Sequence, residues 1–142
     1  MNDKEGKEVI PDSQRSGEVD VVIIDDDESI REGCRQTLEG EGYGVATAGN
    51  GTYGLSIVEE LRPNVVVIDL KMPGISGLDV IGRISEIDSD IVTIATSGYG
   101  VIDSETESKR LGAFDFLAKP FDPEKLINTV KKGIEWRRFR TE

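Results

Sequence analysis

Five polar residues stand directly after apolar runs of the sequence and have the types needed for chemistry on a phosphoryl group. Asp25 and Asp26 follow the run VVII, and Asp69 follows VVVI. Ser97 follows IVTIAT, and Lys119 follows FDFLA. Carboxylates a few ångströms apart repel one another unless a cation joins them or one of them is protonated. The acidic oxygen ligands therefore predict a site for Mg²⁺ or Mn²⁺.

A divalent metal beside a lysine ammonium suits phosphoryl transfer, because both neutralise the oxygens of the transferred group. An ionised carboxylate in such a site can act as the nucleophile and become an acyl phosphate. The hydroxyl of Ser97 can then donate to a phosphoryl oxygen. This chemistry requires that all five residues meet at one place in the fold.

Short apolar runs alternate with amphipathic stretches along the chain, and this pattern predicts how the polar residues meet. Strand followed by helix, five times over, predicts one α/β domain with a parallel sheet and helices on both faces. Ligands of such sheets bind beyond the carboxyl ends of the strands, where all five polar residues stand. The predicted strands are Val19–Ile24, Tyr43–Ala48, Val65–Leu70, Ile91–Thr96 and Phe114–Ala118.

Residues 19–134 form the predicted domain, and two short segments of different composition flank it. Residues 1–18 are polar and lack periodicity, so we expect a disordered tail. Residues 135–142 are expected to be a basic end of the last helix or a linker. The basic cluster of the chain lies here and just before: Lys131, Lys132, Arg137, Arg138 and Arg140.

Composition excludes several classes of function. Lys and Arg number 17 against 28 Asp and Glu, which gives a formal net charge of −11 and disfavours direct binding to nucleic acids or anionic membranes. The absence of histidine excludes His-ligated metals and imidazole acid–base catalysis, and the single cysteine, Cys34, excludes internal disulfides. No apolar stretch has the length of a membrane span, so we expect a soluble, cytoplasmic protein.

Taken together, the motifs resemble the receiver domain of two-component response regulators. The matching residues are Asp25-Asp26 after VVII, the segment VVVIDLKMPGISGLDVI around Asp69, SGYG at 97–100, and GAFDFLAKPF ending at Phe121. Ser97 precedes Lys119 by 22 residues, as the family pattern requires. The resemblance implies a flavodoxin-like, doubly wound (βα)5 fold whose five parallel strands have the order 2-1-3-4-5.

By this resemblance Asp69 is the phosphoacceptor, which a sensor histidine kinase or a histidine phosphotransfer protein supplies with a phosphoryl group. Asp26 matches a direct ligand of Mg²⁺, and Asp25 matches a ligand that acts mainly through water. Lys71 stands where a backbone carbonyl completes the metal shell. The family implies a signalling phosphoacceptor rather than an enzyme, limited to its own phosphorylation and slow dephosphorylation.

The resemblance also assigns switch and tuning roles. Ser97 matches the switch hydroxyl, where threonine is commoner, Lys119 the phosphate-binding lysine, and Phe116 the switch aromatic. Lys71 and Tyr99 flank the site and are expected to tune hydrolysis of the acyl phosphate. Lys119-Pro120 matches a peptide bond that is cis in the family, so we expect a cis bond here.

The fourth predicted helix, near residues 101–111, departs from the family. Glu105, Thr106 and Lys109 occupy positions where receivers usually carry small or branched apolar residues. Little apolar area is therefore available to dock this helix, and we expect it to be the most mobile element. In the family this helix, the fifth strand and the fifth helix form the face used by homodimers or downstream effectors.

The residues alone leave other interpretations open. Gly49–Gly54 reads G-x-G-x-x-G after a strand, with Asp69 20 residues after Gly49, as is typical of dinucleotide-binding modules. Asp25 and Asp27 have the spacing of nucleophile and acid in phosphatases of the haloacid dehalogenase type. Taken singly, the acidic run after the first strand is also typical of a helix N-terminus, Asp69 of a turn, and Phe116 of a core.

Overall fold

The apolar runs of the sequence form one parallel sheet, because strands buried on both faces favour continuous β-branched residues. The computed structural model of the protein describes residues 19–98 and 101–141. The strands pair in parallel in the order β2-β1-β3-β4-β5, which confirms the expected topology. They are β1 (Val21–Ile24), β2 (Val45–Ala48), β3 (Val65–Asp69), β4 (Val92–Ser97) and β5 (Asp115–Ala118).

A helix follows each strand, and polar side chains define where the helices begin. Asp27 is the N-cap of α1, and Asn50 and Ser76 cap α2 and α3. The Asp122 carboxylate accepts a hydrogen bond from the Lys125 backbone N–H in the first turn of α5. The helices are α1 (Glu28–Gly40), α2 (Gly51–Leu61), α3 (Gly77–Ile87), α4 (Val101–Arg110) and α5 (Pro123–Thr141).

Alternate residues of the strands face two separate cores, as a doubly wound sheet requires. Val22 and Ile24 of β1 face the core that α2 and α3 cover, whereas Val21 and Ile23 face the core under α1 and α5. Both cores are closed by fully buried aliphatic side chains. The helical members include Val58, Val80, Ile81 and Ile84 in the first core, and Leu38, Leu126 and Val130 in the second.

Four of the five strands begin one or two residues later than the apolar runs predict, and β3 begins at Val65 as expected. Val19 and Ile91 are buried, but they lie before the first ladder residues of β1 and β4. They contribute to the core from the connections that enter the sheet, so burial extends beyond the hydrogen-bonded strand. At the other end β4 includes Ser97, which places this hydroxyl within the sheet.

The fourth helix forms a regular α4 despite its polar sequence. Two ion pairs along its surface support it, Lys109 with Glu105 at 2.9 Å and Arg110 with Glu107 at 3.4 Å. Within residues 103–110, Ser108 is the buried position, and its hydroxyl donates to the Glu105 carbonyl. The buried side chain in this part of α4 is therefore polar.

Helix length and polarity also bear on membrane insertion. Within residues 19–98 and 101–141, no helix is both long and apolar enough to cross a lipid bilayer. The segment 1–18, expected to be a tail, lies outside the described residues.

Candidate functional site

Asp25 and Asp26 leave β1 at the carboxyl edge of the sheet. Asp25 is 3% exposed, and its Oδ1 accepts a hydrogen bond from the Asp27 backbone N–H at 2.9 Å. Asp26 is exposed to solvent. Asp27 instead serves α1: the Ser29 hydroxyl and the backbone N–H groups of Ile30 and Ser29 donate to its carboxylate and lower its pKa. The acidic run thus divides between the site and a helix cap.

Asp69 ends β3, the strand that pairs with β1. It is 4% exposed, and its Oδ1 accepts a hydrogen bond from the Lys71 backbone N–H at 3.0 Å. Burial, and to a smaller extent the Asp25 carboxylate, raises the pKa of Asp69. The hydrogen bond from the Lys71 N–H and the charge of Lys119 lower this pKa, but the net change is a rise. The buried carboxylate is therefore more basic than an ordinary aspartate.

Lys119 directly follows β5, and its side chain reaches both Asp25 and Asp69. Its Nζ lies 2.8 Å from Asp25 Oδ2 and 3.3 Å from Asp69 Oδ2. Its backbone N–H donates to the Ser97 carbonyl, and the Lys119-Pro120 bond is cis, as expected. Partial burial lowers the pKa of Lys119, but the bonds to both carboxylates outweigh it and the net pKa is raised. The ammonium therefore stays charged.

The three carboxylates form a set that is suited to a divalent cation. One oxygen each of Asp25, Asp26 and Asp69 lies within 4.8 Å of the others. Three negative charges against the single positive charge of Lys119 leave two charges uncompensated, which matches the charge of one Mg²⁺ or Mn²⁺. All ligand atoms are carboxylate oxygens, the type these ions prefer, and the exposure of Asp26 leaves room for water.

Ser97 and Phe116 lie on the same face of the sheet. Ser97 is fully buried at the end of β4. Phe116 of β5 pairs in register with Ala95, two residues before Ser97, and residues two apart in a strand share a face. Phe116 is 8% exposed and belongs to the core that also contains Ala95. The structure therefore buries Phe116, while Tyr99 lies outside the described residues.

The residues that would serve dinucleotide binding or a haloacid dehalogenase-type phosphatase make other contacts in the structure. The Gly49–Gly54 turn opens α2, whose N-cap Asn50 accepts a hydrogen bond from the Tyr53 N–H. Asp69, which a dinucleotide module would use for ribose, is bonded to Lys71 and Lys119. In the phosphatase interpretation Asp27 is the acid, but its carboxylate caps α1. The phosphatase set therefore lacks a free acid, and the dinucleotide set lacks a free acidic residue for the ribose.

Two residues that hold the site are not identified as such from the sequence, although Gly77 lies in the segment around Asp69 that carries the family resemblance. Gly77, the first residue of α3, is packed so tightly that an added Cβ would overlap the Asp69 carbonyl oxygen and Leu70 Cα. Arg31 of α1 donates from Nη1 to the Asp25 carbonyl oxygen at 2.8 Å. Glycine and arginine are common on helices, and only their tertiary positions distinguish these two.

Known proteins similar to this chain are response regulators. The sequence model for the response regulator receiver domain matches residues 21–131. Sporulation initiation phosphotransferase F of Bacillus subtilis is 39% identical over 114 residues, which cover 80% of this chain and 92% of that protein. The C4-dicarboxylate transport transcriptional regulatory protein DctD of Pseudomonas aeruginosa is 37% identical over 122 residues, which cover 86% of this chain and 26% of that protein.

Two solved structures of receiver domain proteins are also similar to most of this chain. A response regulator receiver domain protein from Clostridium thermocellum has a TM-score of 0.81 at 31% identity, covering 85% of this chain and 98% of that one. A CheY-like receiver domain protein from Methanospirillum hungatei has a TM-score of 0.82 at 26% identity, covering 87% and 99%. Both are matched over nearly their whole length, so the shared unit is the complete (βα)5 domain.

Proposed function

This chain belongs to the response regulator receiver domain family, a family of signalling phosphoacceptors, and we propose that Asp69 is the residue that carries the phosphoryl group. The observation that supports this choice is the grouping of four charged side chains at one sheet edge. The Asp69 carboxylate lies 3.3 Å from the Lys119 ammonium and within 4.8 Å of ligand oxygens of Asp25 and Asp26. Residues 19–134 make up the proposed receiver unit, and 135–142 are its helix end or linker.

The same cluster is the proposed site of Mg²⁺ or Mn²⁺. The ligands are the carboxylates of Asp25, Asp26 and Asp69, with Asp25 acting through water, and the backbone carbonyl of Lys71. Two uncompensated negative charges and an all-oxygen ligand set support this choice. When bound, the ion neutralises the oxygens of the phosphoryl group and orients it for in-line attack.

The phosphoryl donor is a phosphohistidine of a sensor histidine kinase or a histidine phosphotransfer protein. These 142 residues contain no histidine, so the donor residue lies outside them. A carboxylate oxygen of Asp69 forms the new P–O bond. The P–N bond breaks, and its electron pair returns to the imidazole nitrogen. The product is an acyl phosphate, whose oxygens attract the Lys119 ammonium away from Asp25.

Signal output depends on two buried side chains beside the acyl phosphate. Ser97 donates its hydroxyl to a phosphoryl oxygen, which draws the end of β4 towards Asp69. Phe116 is already buried next to that strand. We therefore propose that phosphorylation stabilises an arrangement that the unphosphorylated protein already samples, and thereby shifts the equilibrium of α4 and β5.

Several finer assignments complete the proposal. Lys71 and Tyr99 tune the lifetime of the acyl phosphate, and the chain performs only its own phosphorylation and slow dephosphorylation. The face of α4, β5 and α5 receives a second copy or an effector protein. A cytoplasmic location is proposed because the single thiol, Cys34, suits a reducing compartment.

Intact-mass measurement with a small phosphodonor and Mg²⁺ tests the proposal. The parent protein is expected to gain one phosphoryl group, and Asp69→Asn none, because an amide cannot act as the nucleophile. Asp79→Asn is the matched control, since Asp79 is an exposed aspartate on α3 and leaves the cluster intact. Chelation of the metal should abolish the gain of the phosphoryl group in both the parent and Asp79→Asn.

Peptide mapping of the labelled protein separates the alternatives. Phosphate on Asp69 supports the receiver chemistry, whereas phosphate on Asp25 would refute it and favour the phosphatase interpretation. A parent that gains no phosphate is next incubated with a phosphorylated histidine phosphotransfer protein. Failure with that donor as well would contradict the assignment of Asp69 as phosphoacceptor.

A further inference from the structure

Arg31 reaches from α1 back to the loop that carries Asp25 and Asp26. Its guanidinium Nη1 donates to the backbone carbonyl oxygen of Asp25 at 2.8 Å. The backbone N–H of the same residue donates to the Ala48 carbonyl at 3.1 Å. Both polar groups of the Asp25 backbone are thus bonded, one to the end of β2 and the other to a side chain of α1.

The guanidinium also lies against the end of β2. A Cβ added at Gly49 would be 3.2 Å from Arg31 Nη1 and 3.5 Å from Arg31 Cζ. The 3.2 Å distance is closer than most real Cβ contacts, so the absence of a side chain at Gly49 leaves room for the arginine. Arg31 therefore fills the space between the loops that follow β1 and β2.

Asp26 needs such support because its own side chain has none. Within the described part of the chain, the exposed Asp26 carboxylate makes no hydrogen bond, although it belongs to the carboxylate cluster. Where that carboxylate can reach therefore depends on the position of the backbone that carries it. The Asp25 carbonyl that Arg31 holds belongs to the peptide bond joining Asp25 to Asp26.

We propose that Arg31 is a positioning residue that fixes the Asp25–Asp26 peptide, so that the Asp26 carboxylate is preorganised for a divalent cation. This inference rests on the proposed function, because it concerns the same metal site. Arg31 itself does not touch the ion or the phosphoryl group. It acts through a hydrogen bond to the peptide that joins the two ligands Asp25 and Asp26, and loss of such outer contacts typically weakens metal binding by about 10- to 100-fold.

The sign of the effect distinguishes positioning from simple charge. Arg31 carries a positive charge near a cation site, so its removal would strengthen Mg²⁺ binding if the charge alone mattered. Positioning predicts the opposite: Arg31→Ala weakens Mg²⁺ binding by about tenfold. Arg31→Lys keeps the charge but loses the planar fork, and it should recover only part of the affinity.

Calorimetric titration of the unphosphorylated full chain with MgCl₂ measures this directly, without phosphoryl transfer. Arg35→Ala is the matched control, because Arg35 lies one turn further along α1 and pairs with Glu32 and Glu39 instead of the site. Its Mg²⁺ affinity should equal that of the parent. Thermal unfolding of each variant separates lost affinity from lost folding.

The outcomes have distinct meanings. Parent-like or tighter Mg²⁺ binding by folded Arg31→Ala would overturn the positioning role while leaving the proposed function intact. A parent that binds no Mg²⁺ would contradict the proposed metal site itself. If Arg31→Ala does not fold, Arg31→Lys decides, since parent-like affinity in that variant would equally overturn the proposal.

Discussion

Gly77→Ala is the substitution that tests most directly how the scaffold holds Asp69. An added Cβ at Gly77 would overlap the Asp69 carbonyl oxygen and Leu70 Cα, and it would lie 3.0 Å from the Asp69 carbonyl carbon. All three atoms belong to the backbone, so no side-chain rotation relieves the contact. Either the first turn of α3 or the end of β3 must move.

The size of the effect follows from the contact. Ordinary van der Waals contact for a Cβ begins at 3.4 Å, so relief requires a backbone displacement on the order of 1 Å. Overpacking of this kind costs about 1–3 kcal/mol in the free energy of unfolding. A displacement of about 1 Å in a reacting group lowers its rate by roughly 100-fold. We therefore expect Gly77→Ala to lose both stability and most of its phosphorylation rate.

Gly82→Ala is the matched control in the same helix. No atom lies within 4 Å of a Cβ added at Gly82, so alanine there is accommodated without movement. Because alanine favours the helix over glycine, the free energy of unfolding should rise by about 0.5–1 kcal/mol. The phosphorylation rate of Gly82→Ala should equal that of the parent.

Urea unfolding gives the free energies, and intact mass against time with a small phosphodonor gives the rates. The expected order of stability is Gly82→Ala, then the parent, then Gly77→Ala. The reasoning would be refuted if Gly77→Ala matched Gly82→Ala in both quantities. That result would mean that the end of β3 adjusts freely, and that Asp69 does not depend on the position of α3.

Three further predictions address other parts of the molecule. Backbone hydrogen exchange should be faster in α4 than in the other four helices, because the buried side chain within residues 103–110 is a serine. Protection from exchange across residues 101–111 equal to that of α3 would contradict this prediction. Burial and the Asp25 carboxylate raise the pKa of Cys34 from 9.0 to about 11. At pH about 8 the thiol of the folded protein should therefore react with a disulfide reagent roughly 100-fold more slowly than the thiol of the urea-unfolded chain. Equal rates would disprove the burial of Cys34. Partial burial raises the pKa of Asp88, but hydrogen bonds from the Asp90 N–H and Arg137 outweigh it and hold the pKa below 3.8. The ionised Asp88 should therefore make the free energy of unfolding of the parent higher than that of Asp88→Asn by at most about 1 kcal/mol above pH 3.8. This difference should vanish as the pH falls through the lowered pKa, and a difference that does not depend on pH would refute the reasoning.

The convergence of the site residues is predictable from the sequence for a physical reason. Strands buried on both faces need continuous β-branched runs, and parallel strands present their carboxyl ends at one edge. Polar residues directly after such runs, such as Asp25, Asp69 and Lys119, must therefore meet there. The order of the strands does not follow from hydrophobic periodicity, because periodicity carries no information about neighbours. The order 2-1-3-4-5 was implied by the family resemblance alone.

The supporting contacts could not be predicted, because identical residue types occur elsewhere without them. Gly77 and Gly82 lie on the same helix, yet only Gly77 touches the backbone of Asp69. Arg31 and Arg35 are one turn apart on α1, yet only Arg31 bonds to the Asp25 carbonyl, while Arg35 pairs along the helix surface. The distinction depends on how each helix is placed on the sheet, and no local pattern encodes it.

The structure also resolves why Phe116 suits both a core and a switch interpretation. Its ring is buried beside β4, and the fully buried Ser97 ends that strand, so any movement of Ser97 towards a phosphoryl group changes the space next to the ring. Within residues 103–110, α4 has ion pairs along its surface, and the buried side chain is that of Ser108. We expect little apolar burial in residues 103–110 to oppose a shift of the helix, so that a small bias from the site redistributes its population. We therefore expect the polar sequence of α4 to make this face responsive to phosphorylation at the site.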